Sequence, residues 1–203
     1  MKKKALLVVI SSPSGAGKTT ICQRILKKNL EYLYSISYTT RKKRKNEKEG
    51  KDYHFLTFKK FKEKIKRKEL VEWAKVYGNY YGTSKKIIHR AQKEGKVLIM
   101  VLDIQGGMAI KRKYPESVLI FILPPNMKEL ERRLRKRATD KGKELKKRMD
   151  NALKEISFLP HYDYVVVNKN LHDTIKIVDQ IINAEKYKSK RFDFHPAFGR
   201  AKV

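Results

Sequence analysis

Eight consecutive residues, Ser12-Pro13-Ser14-Gly15-Ala16-Gly17-Lys18-Thr19, have the types and spacing of a phosphate-binding loop. Its glycines let backbone N–H groups converge on an anion, and a helix opening at Lys18 adds the partial positive charge of its N-terminus. The lysine amine would then reach the β- and γ-phosphates of a nucleoside triphosphate, and the Thr19 hydroxyl would ligate Mg²⁺. The usual spacing, G-x-x-x-x-G-K-[ST], has glycine where this chain has Ser12, which bears on the backbone of the first turn. A second group that could do chemistry is Asp103, which closes the apolar run 98–102 and so stands where a carboxylate can approach the Mg²⁺ through water.

Such a loop works only between a strand and a helix. Apolar runs occur at 5–10, 97–102, Val118–Leu123 and Tyr164–Val167. Each is continuous rather than alternating, which predicts strands buried on both faces of a parallel sheet. Helical spacing follows at Lys18–Lys28, at 127–135, where Asn126 and Glu129 have the spacing of a capping box, and at 173–186. Strands alternating with helices predict an α/β fold. Residues 34–94, rich in tyrosine and charge, predict an inserted α+β subdomain, and polar, basic residues 136–147 a short mobile lid. The core is then 1–33 with 95–190, and 191–203 is a tail with no assigned structure.

The chain has 203 residues, with 50 Lys+Arg against 21 Asp+Glu and a formal charge of +29. A polyanion, whether nucleic acid, an acidic membrane surface or phosphorylated metabolites, is the first partner such a balance suggests. With 40% hydrophobic residues the chain is too apolar for a disordered basic tail. One cysteine, Cys22, excludes an internal disulfide framework and a cysteine-based zinc cluster, and suits a cytoplasmic setting. No apolar run approaches the ~18 residues of a membrane helix.

The middle of the chain carries the most specific pattern. Ser35-Ile36-Ser37-Tyr38-Thr39-Thr40-Arg41-Lys42-Lys43-Arg44 is followed by Glu47, then Gly50-Lys51-Asp52-Tyr53-His54-Phe55, Glu72-Trp73-Ala74 and Gly78-Asn79-Tyr80-Tyr81-Gly82-Thr83. Asp103-Ile104-Gln105-Gly106, the arginines between Arg133 and Arg137, Lys147-Arg148 and Val167-Asn168 continue the series. Over about residues 5–185 this resembles the guanylate kinases, whose fold is the P-loop NTPase fold with a central parallel sheet flanked by helices.

The resemblance implies transfer of the γ-phosphoryl of ATP to GMP or dGMP, giving ADP and GDP in purine nucleotide metabolism, with Mg²⁺. ATP would lie on Ser12, Pro13, Ser14, Gly15, Ala16, Gly17, Lys18, Thr19 and Thr20, with Asn168 facing its adenine. Arg41 and Arg44 have the planar, bidentate donors a phosphate dianion needs. Ser37, Tyr53 and Tyr81 would add hydroxyl donors to that phosphate. Guanine presents N1–H and N2–H₂ on one edge, which a carboxylate matches by accepting both. By resemblance Glu72 is that carboxylate and Thr83 meets the O6 side. Lys18, Arg41, Arg133, Arg137 and Arg148 would carry the catalytic charge, the last three closing over the transferring phosphoryl. The family pattern D-x-D-x-Q-G has two acids, and aligning on Gln105-Gly106 puts Val101 at the first and Asp103 at the second. A one-residue deletion would instead make Asp103 the first acid, nearer Mg²⁺ than guanine; the ungapped alignment is favoured.

Three other functions compete. A kinase for another small phosphorylated acceptor would not need Glu72 and Tyr81. A guanylate-kinase-like binding module could dispense with Gly17-Lys18-Thr19, which this chain keeps. A nucleic-acid-binding protein rests on charge alone, and neither a helix-turn-helix nor an RNA-recognition signature accompanies it. Nearly half of the basic residues fall in 41–68 and 131–148, the expected acceptor insert and lid, so the charge is read as serving small nucleotides and not nucleic acid or membrane. Monomer and small homo-oligomer both remain open.

Overall fold

The computed structural model describes residues 2–76, 78–137 and 142–193. A short strand, β1 (Lys2–Lys3), leads into β2 (Leu6–Ser11), then α1 (Lys18–Lys28) and β3 (Leu33–Ser35). There follow β4 (Tyr38–Thr39), β5 (His54–Phe55), α2 (Phe58–Lys66), β6 (Leu70–Val76), β7 (Asn79–Ser84) and α3 (Lys85–Glu94). The chain continues through β8 (Val97–Val101), α4 (Ile104–Lys113), β9 (Val118–Leu123) and α5 (Met127–Arg137). It ends with α6 (Gly142–Ile156), β10 (Tyr164–Val167), α7 (Leu171–Glu185) and β11 (Phe192–Asp193).

Five strands form a fully parallel sheet in the order β10-β9-β2-β8-β3. Its centre is β2, whose side chains alternate between two apolar layers. Leu6, Val8 and Ile10 pack with Ile21 and Ile25 of α1 and Val178 and Ile182 of α7. Leu7 and Val9 pack with Ile88 of α3, Ile110 of α4 and Phe121 of β9. Cover on both faces is why the run is continuous. Strand β10 departs from the expectation of two buried faces. It is the sheet edge, with Val165 46% and Val167 41% exposed.

The insert forms its own sheet, β5-β4-β7-β6, in which β7 pairs antiparallel with both β4 and β6. Phe61 of α2 fills its core and stacks on Tyr80 at 5.4 Å. The insert is narrower than 34–94, because β3 belongs to the main sheet and α3 buries Ile88 and Ala91 against it. The expected lid 136–147 is helical at both ends, α5 running to Arg137 and α6 starting at Gly142; residues 138–141 lie outside the described residues. The capping box is half formed: Asn126 Oδ1 accepts from Glu129 N at 2.8 Å, while the Glu129 carboxylate bonds Arg132 and Arg133.

The expected tail begins as structure. Strand β11 pairs antiparallel with β1, and buried Arg191 donates to Glu116 O at 2.7 Å and faces the Glu185 carboxylate at 3.7 Å. The rest of that tail, 194–203, lies outside the described residues. Among the described residues no helix is long and apolar enough to cross a membrane.

Candidate active site

The phosphate loop joins β2 to α1 at the carboxyl end of the sheet. Gly15 and Gly17 have φ of 94° and 95°, the left-handed region that favours glycine. Ser12 has no positive φ, since Lys68 is the one non-glycine residue with such a backbone among those described. The first turn therefore does not require the glycine that usually stands there. Leu134 and Leu130 of α5 back the loop, and a Cβ on Gly15 would lie 3.3 Å from Leu134 Cδ2. From below, buried Asn168 donates its Nδ2 to Ala16 O at 2.8 Å and accepts from Thr174 Oγ1 at 3.0 Å. Expected to face adenine, Asn168 is placed under the loop, with both ends of its amide occupied. Thr20 is exposed on α1.

A cavity of about 260 Å³ opens above this loop. Ser12, Pro13, Ser14, Gly15, Gly17, Lys18 and Thr19 form one wall. Ser37, Arg44, Tyr53, Glu72, Tyr81 and Asp103 form the facing side. Lys18 Nζ donates to Leu102 O at 3.4 Å and Ser12 O at 3.5 Å, which keeps the amine at the mouth of the loop. Burial lowers its pKa, and the carboxylates of Glu155 and Asp103 oppose that shift. Val101 lines the cavity alongside Thr19, so an apolar side chain ends β8 there.

Glu72 and Asp103 share the far end. Asp103 caps α4, its Oδ1 accepting from Gly106 N at 2.8 Å. Glu72 pairs across strands with Thr83 and is 7% exposed. Burial raises its pKa to about 7, Asp103 pushing the same way and Thr83 and Lys113 against. The Thr83 hydroxyl lies close enough to hold Glu72 down, yet it is buried without a well-formed hydrogen bond. Both carboxylates crowd Gly106, where a Cβ would stand 3.0 Å from Glu72 Oε2 and 3.2 Å from Asp103 Oδ1. Gly106→Ala must displace them by a few tenths of an ångström. If these carboxylates meet guanine, as the resemblance implies, the KM for GMP should rise about three- to tenfold with the KM for ATP unchanged in steady-state titrations, because small misplacements of a positioned group cost rate and affinity steeply.

Arg41 lies beside this cavity. Its Nη2 donates to Glu47 Oε1 at 2.6 Å, and its guanidinium is 5.4 Å from the centre of the Tyr53 ring. Tyr53 and Tyr81 pack edge to face at 5.9 Å. Arg44 is the more exposed of the two arginines and lines the cavity itself.

This arrangement can hold two phosphorylated ligands end to end, one on the loop and one on the insert. A family model described as guanylate kinase matches residues 4–185. The chain belongs to the guanylate kinase family. It is 47% identical over 191 residues to the guanylate kinase of Carboxydothermus hydrogenoformans, covering 94% of each chain. It is 46% identical over 189 residues to that of Myxococcus xanthus, covering 93% of this chain and 90% of the other. The crystal structure of guanylate kinase from Anaplasma phagocytophilum superposes with a TM-score of 0.81 at 36% identity, over 94% of this chain and 90% of that one. The expected fold, family and enzyme class, a guanylate kinase on a P-loop NTPase fold, all hold. The family match ends where α7 ends, leaving β11 beyond it.

The expected lid arginines of this guanylate kinase fold lie on α5 and α6. Arg133 Nε donates to Glu129 Oε1 at 2.7 Å, Arg148 is half-buried on α6, and the Arg137 side chain lies outside the described residues. Two further residues belong to the site. Glu155 of α6 lines the cavity, lies close enough to the Ser14 N–H for it to favour the carboxylate, and is the foremost charge acting on Lys18. Glu47 joins Arg41. Its place in the Arg41–Tyr53 motif was the available signal for Glu47, whereas nothing in the spacing of α6 marks Glu155.

Proposed function

We propose that this cleft transfers the γ-phosphoryl of ATP to GMP or dGMP, with the phosphate loop holding ATP and residues 36–84 holding the acceptor. The observation that carries the reading is the single cavity shared by Lys18 and Thr19 on one wall and Glu72, Tyr81 and Arg44 on the other. Ligands on the two walls would meet phosphate to phosphate, as an in-line displacement requires. The acceptor oxygen is already ionised, so no general base is assigned. Positioning and charge neutralisation carry the catalysis.

In this reading Arg41, Arg44, Ser37, Tyr53 and Tyr81 hold the GMP phosphate. Glu72 accepts from guanine N1–H and N2–H₂, and the orphaned Thr83 hydroxyl turns to O6. Lys18 neutralises the transferring phosphoryl from below, and Arg133, Arg137 and Arg148 do so from the lid. Asn168 supports the loop that cradles ATP. Asp103 lines the same cavity as Glu72 and Lys18 and acts electrostatically on both, so it would serve either guanine or the metal's water shell.

Mg²⁺ is a hard cation that keeps several waters and binds through phosphates with one or two protein oxygens. The exposed Thr19 hydroxyl and the Asp103 carboxylate in one cavity suit such an ion, which when bound neutralises the β- and γ-phosphate oxygens. A cytoplasmic location agrees with the one cysteine, Cys22, being a buried free thiol.

Steady-state turnover with GMP, dGMP, IMP and AMP tests the assignment. GMP and dGMP should be used, and AMP should fall at least about a thousandfold in kcat/KM, because it leaves the buried Glu72 carboxylate unpaired. Comparable rates for GMP and AMP would sink the guanine reading. Absence of turnover with every acceptor would favour a binding module.

A further inference from the structure

We propose that Glu47 is a positioning residue for the acceptor phosphate: its carboxylate presets Arg41 and the turn that carries Arg44, so that both guanidinium groups meet the phosphate in one geometry. The inference rests on the reading of Arg41 and Arg44 as the phosphate clamp.

Glu47 uses both oxygens. Oε1 accepts from Arg41 Nη2 at 2.6 Å, and Oε2 accepts from the backbone N–H of Arg44 at 2.8 Å. The turn closes with Glu47 N donating to Arg44 O at 3.1 Å. Arg41 Nη1 donates to Lys42 O at 2.7 Å, so its far edge is fixed as well. Side-chain exposure is 15% for Arg41 and 14% for Glu47 but 73% for Arg44. An exposed ion pair contributes little, whereas a largely dry, short and doubly anchored one holds its geometry. One arginine is thus fixed as a side chain and the other through its backbone. Partial burial pushes the Glu47 pKa up, but hydrogen bonds from Arg41 and from the Arg44 N–H outweigh it, so the group titrates below the usual carboxylate range and is charged at neutral pH. Glu47 and Arg44 also line a cavity of about 420 Å³ with Ser37, Tyr53 and Thr19, so the carboxylate belongs to the acceptor wall.

A carboxylate beside an anion site repels the anion, and that alone predicts tighter GMP binding once the charge is removed. Positioning predicts the reverse. Loss of Glu47 frees the long Arg41 side chain and the 41–47 turn together, and both must then be ordered by the ligand.

The experiment is Glu47→Gln, read as KM for GMP, KM for ATP and inhibition by guanosine, which has the base and no phosphate. The expected result is a KM for GMP raised about tenfold, with ATP and guanosine unchanged. An unchanged or lower KM for GMP overturns the proposal. So does an equal loss of guanosine and GMP, which would mark a general structural role. Arg41→Met separates the proposal from the reading beneath it. If Arg41→Met leaves GMP unaffected, the clamp reading fails and Glu47 has nothing to position. If Arg41→Met weakens GMP while Glu47→Gln does not, the clamp stands and positioning by Glu47 alone is refuted. In the Arg41→Met background Glu47→Gln should have a smaller effect than in the parent, and full multiplicativity overturns action through Arg41.

Discussion

Glu72→Gln is expected to remove most of the preference for GMP over AMP and, at the same time, to make the folded protein more stable at pH 8. The first effect follows from donors and acceptors. A carboxylate accepts from both N1–H and N2–H₂ of guanine, whereas the amide replaces one acceptor by a donor. The ratio of kcat/KM for the two acceptors should fall about a hundredfold or more, with the KM for ATP unchanged. The second effect follows from burial. The carboxyl titrates at about 7 in the folded chain against an ordinary value of 4.5. Between those values the folded state binds the extra proton, so this group's favourable share of stability is complete below 4.5 and is lost as pH rises through 7. That shift corresponds to a penalty of about 3 kcal/mol above pH 7, which glutamine does not pay. Thermal unfolding should therefore show the variant's advantage at pH 8 and little of it at pH 4. In the parent enzyme the KM for GMP should fall from pH 6 to pH 8 as the carboxylate forms, and in the variant it should be flat. An unchanged acceptor ratio would refute the role of Glu72.

Lys18→Met is expected to lower kcat/KM for ATP about a thousandfold. The amine is tethered to Leu102 O and Ser12 O at the mouth of the loop, facing Asp103 and Glu155. Removing one preorganised charged donor from a transition state costs about 10²–10³ in rate. Here two carboxylates also lose their cation, so the remaining field repels the incoming triphosphate. The KM for ATP should rise together with the fall in kcat, while the KM for GMP should change little, because in the proposed reading the acceptor sits on the insert. Steady-state kinetics with calorimetric ATP titration separate the two effects. A loss smaller than tenfold would show that the loop works without this charge.

The elements that could be read from the sequence are those whose neighbours are implied by their own pattern. Strands β2, β8 and β9 read as unbroken apolar runs because each has cover on both faces, and the loop between β2 and α1 follows from a short local spacing. Strand β10 reads identically, yet a run of apolar residues does not say that a strand is last in the sheet. Helix α6 does not declare itself in the sequence: its first turns are dense in lysine and fall in the expected lid, although Leu145, Met149, Ala152 and Ile156 follow helical spacing. Glu72, Tyr81, Asp103 and Arg44 were legible through their motifs and converge on one cavity. Asn168 was legible as part of a motif, but its place beneath Ala16 depends on packing between chain segments far apart in sequence. The same holds for Glu155, whose importance comes from the face of α6 that meets Ser14.

The central place of β2 has a consequence for how the molecule comes into being. Leu6 and Val8 find their sheet partners far along the chain, in Val97 and Val118. Until β8 and β9 join it, β2 has no strand on either side, and although α1 can cover one of its faces, the Leu7 and Val9 face waits for α3 and α4. Such long-range pairing makes folding slow and leaves intermediates prone to aggregation. The phosphate loop, anchored on β2 and braced by Asn168 from 152 residues away, acquires its full set of contacts only once that distant segment has docked. Nucleotide can therefore favour the native state only once β2 has become the middle strand and Asn168 is in place.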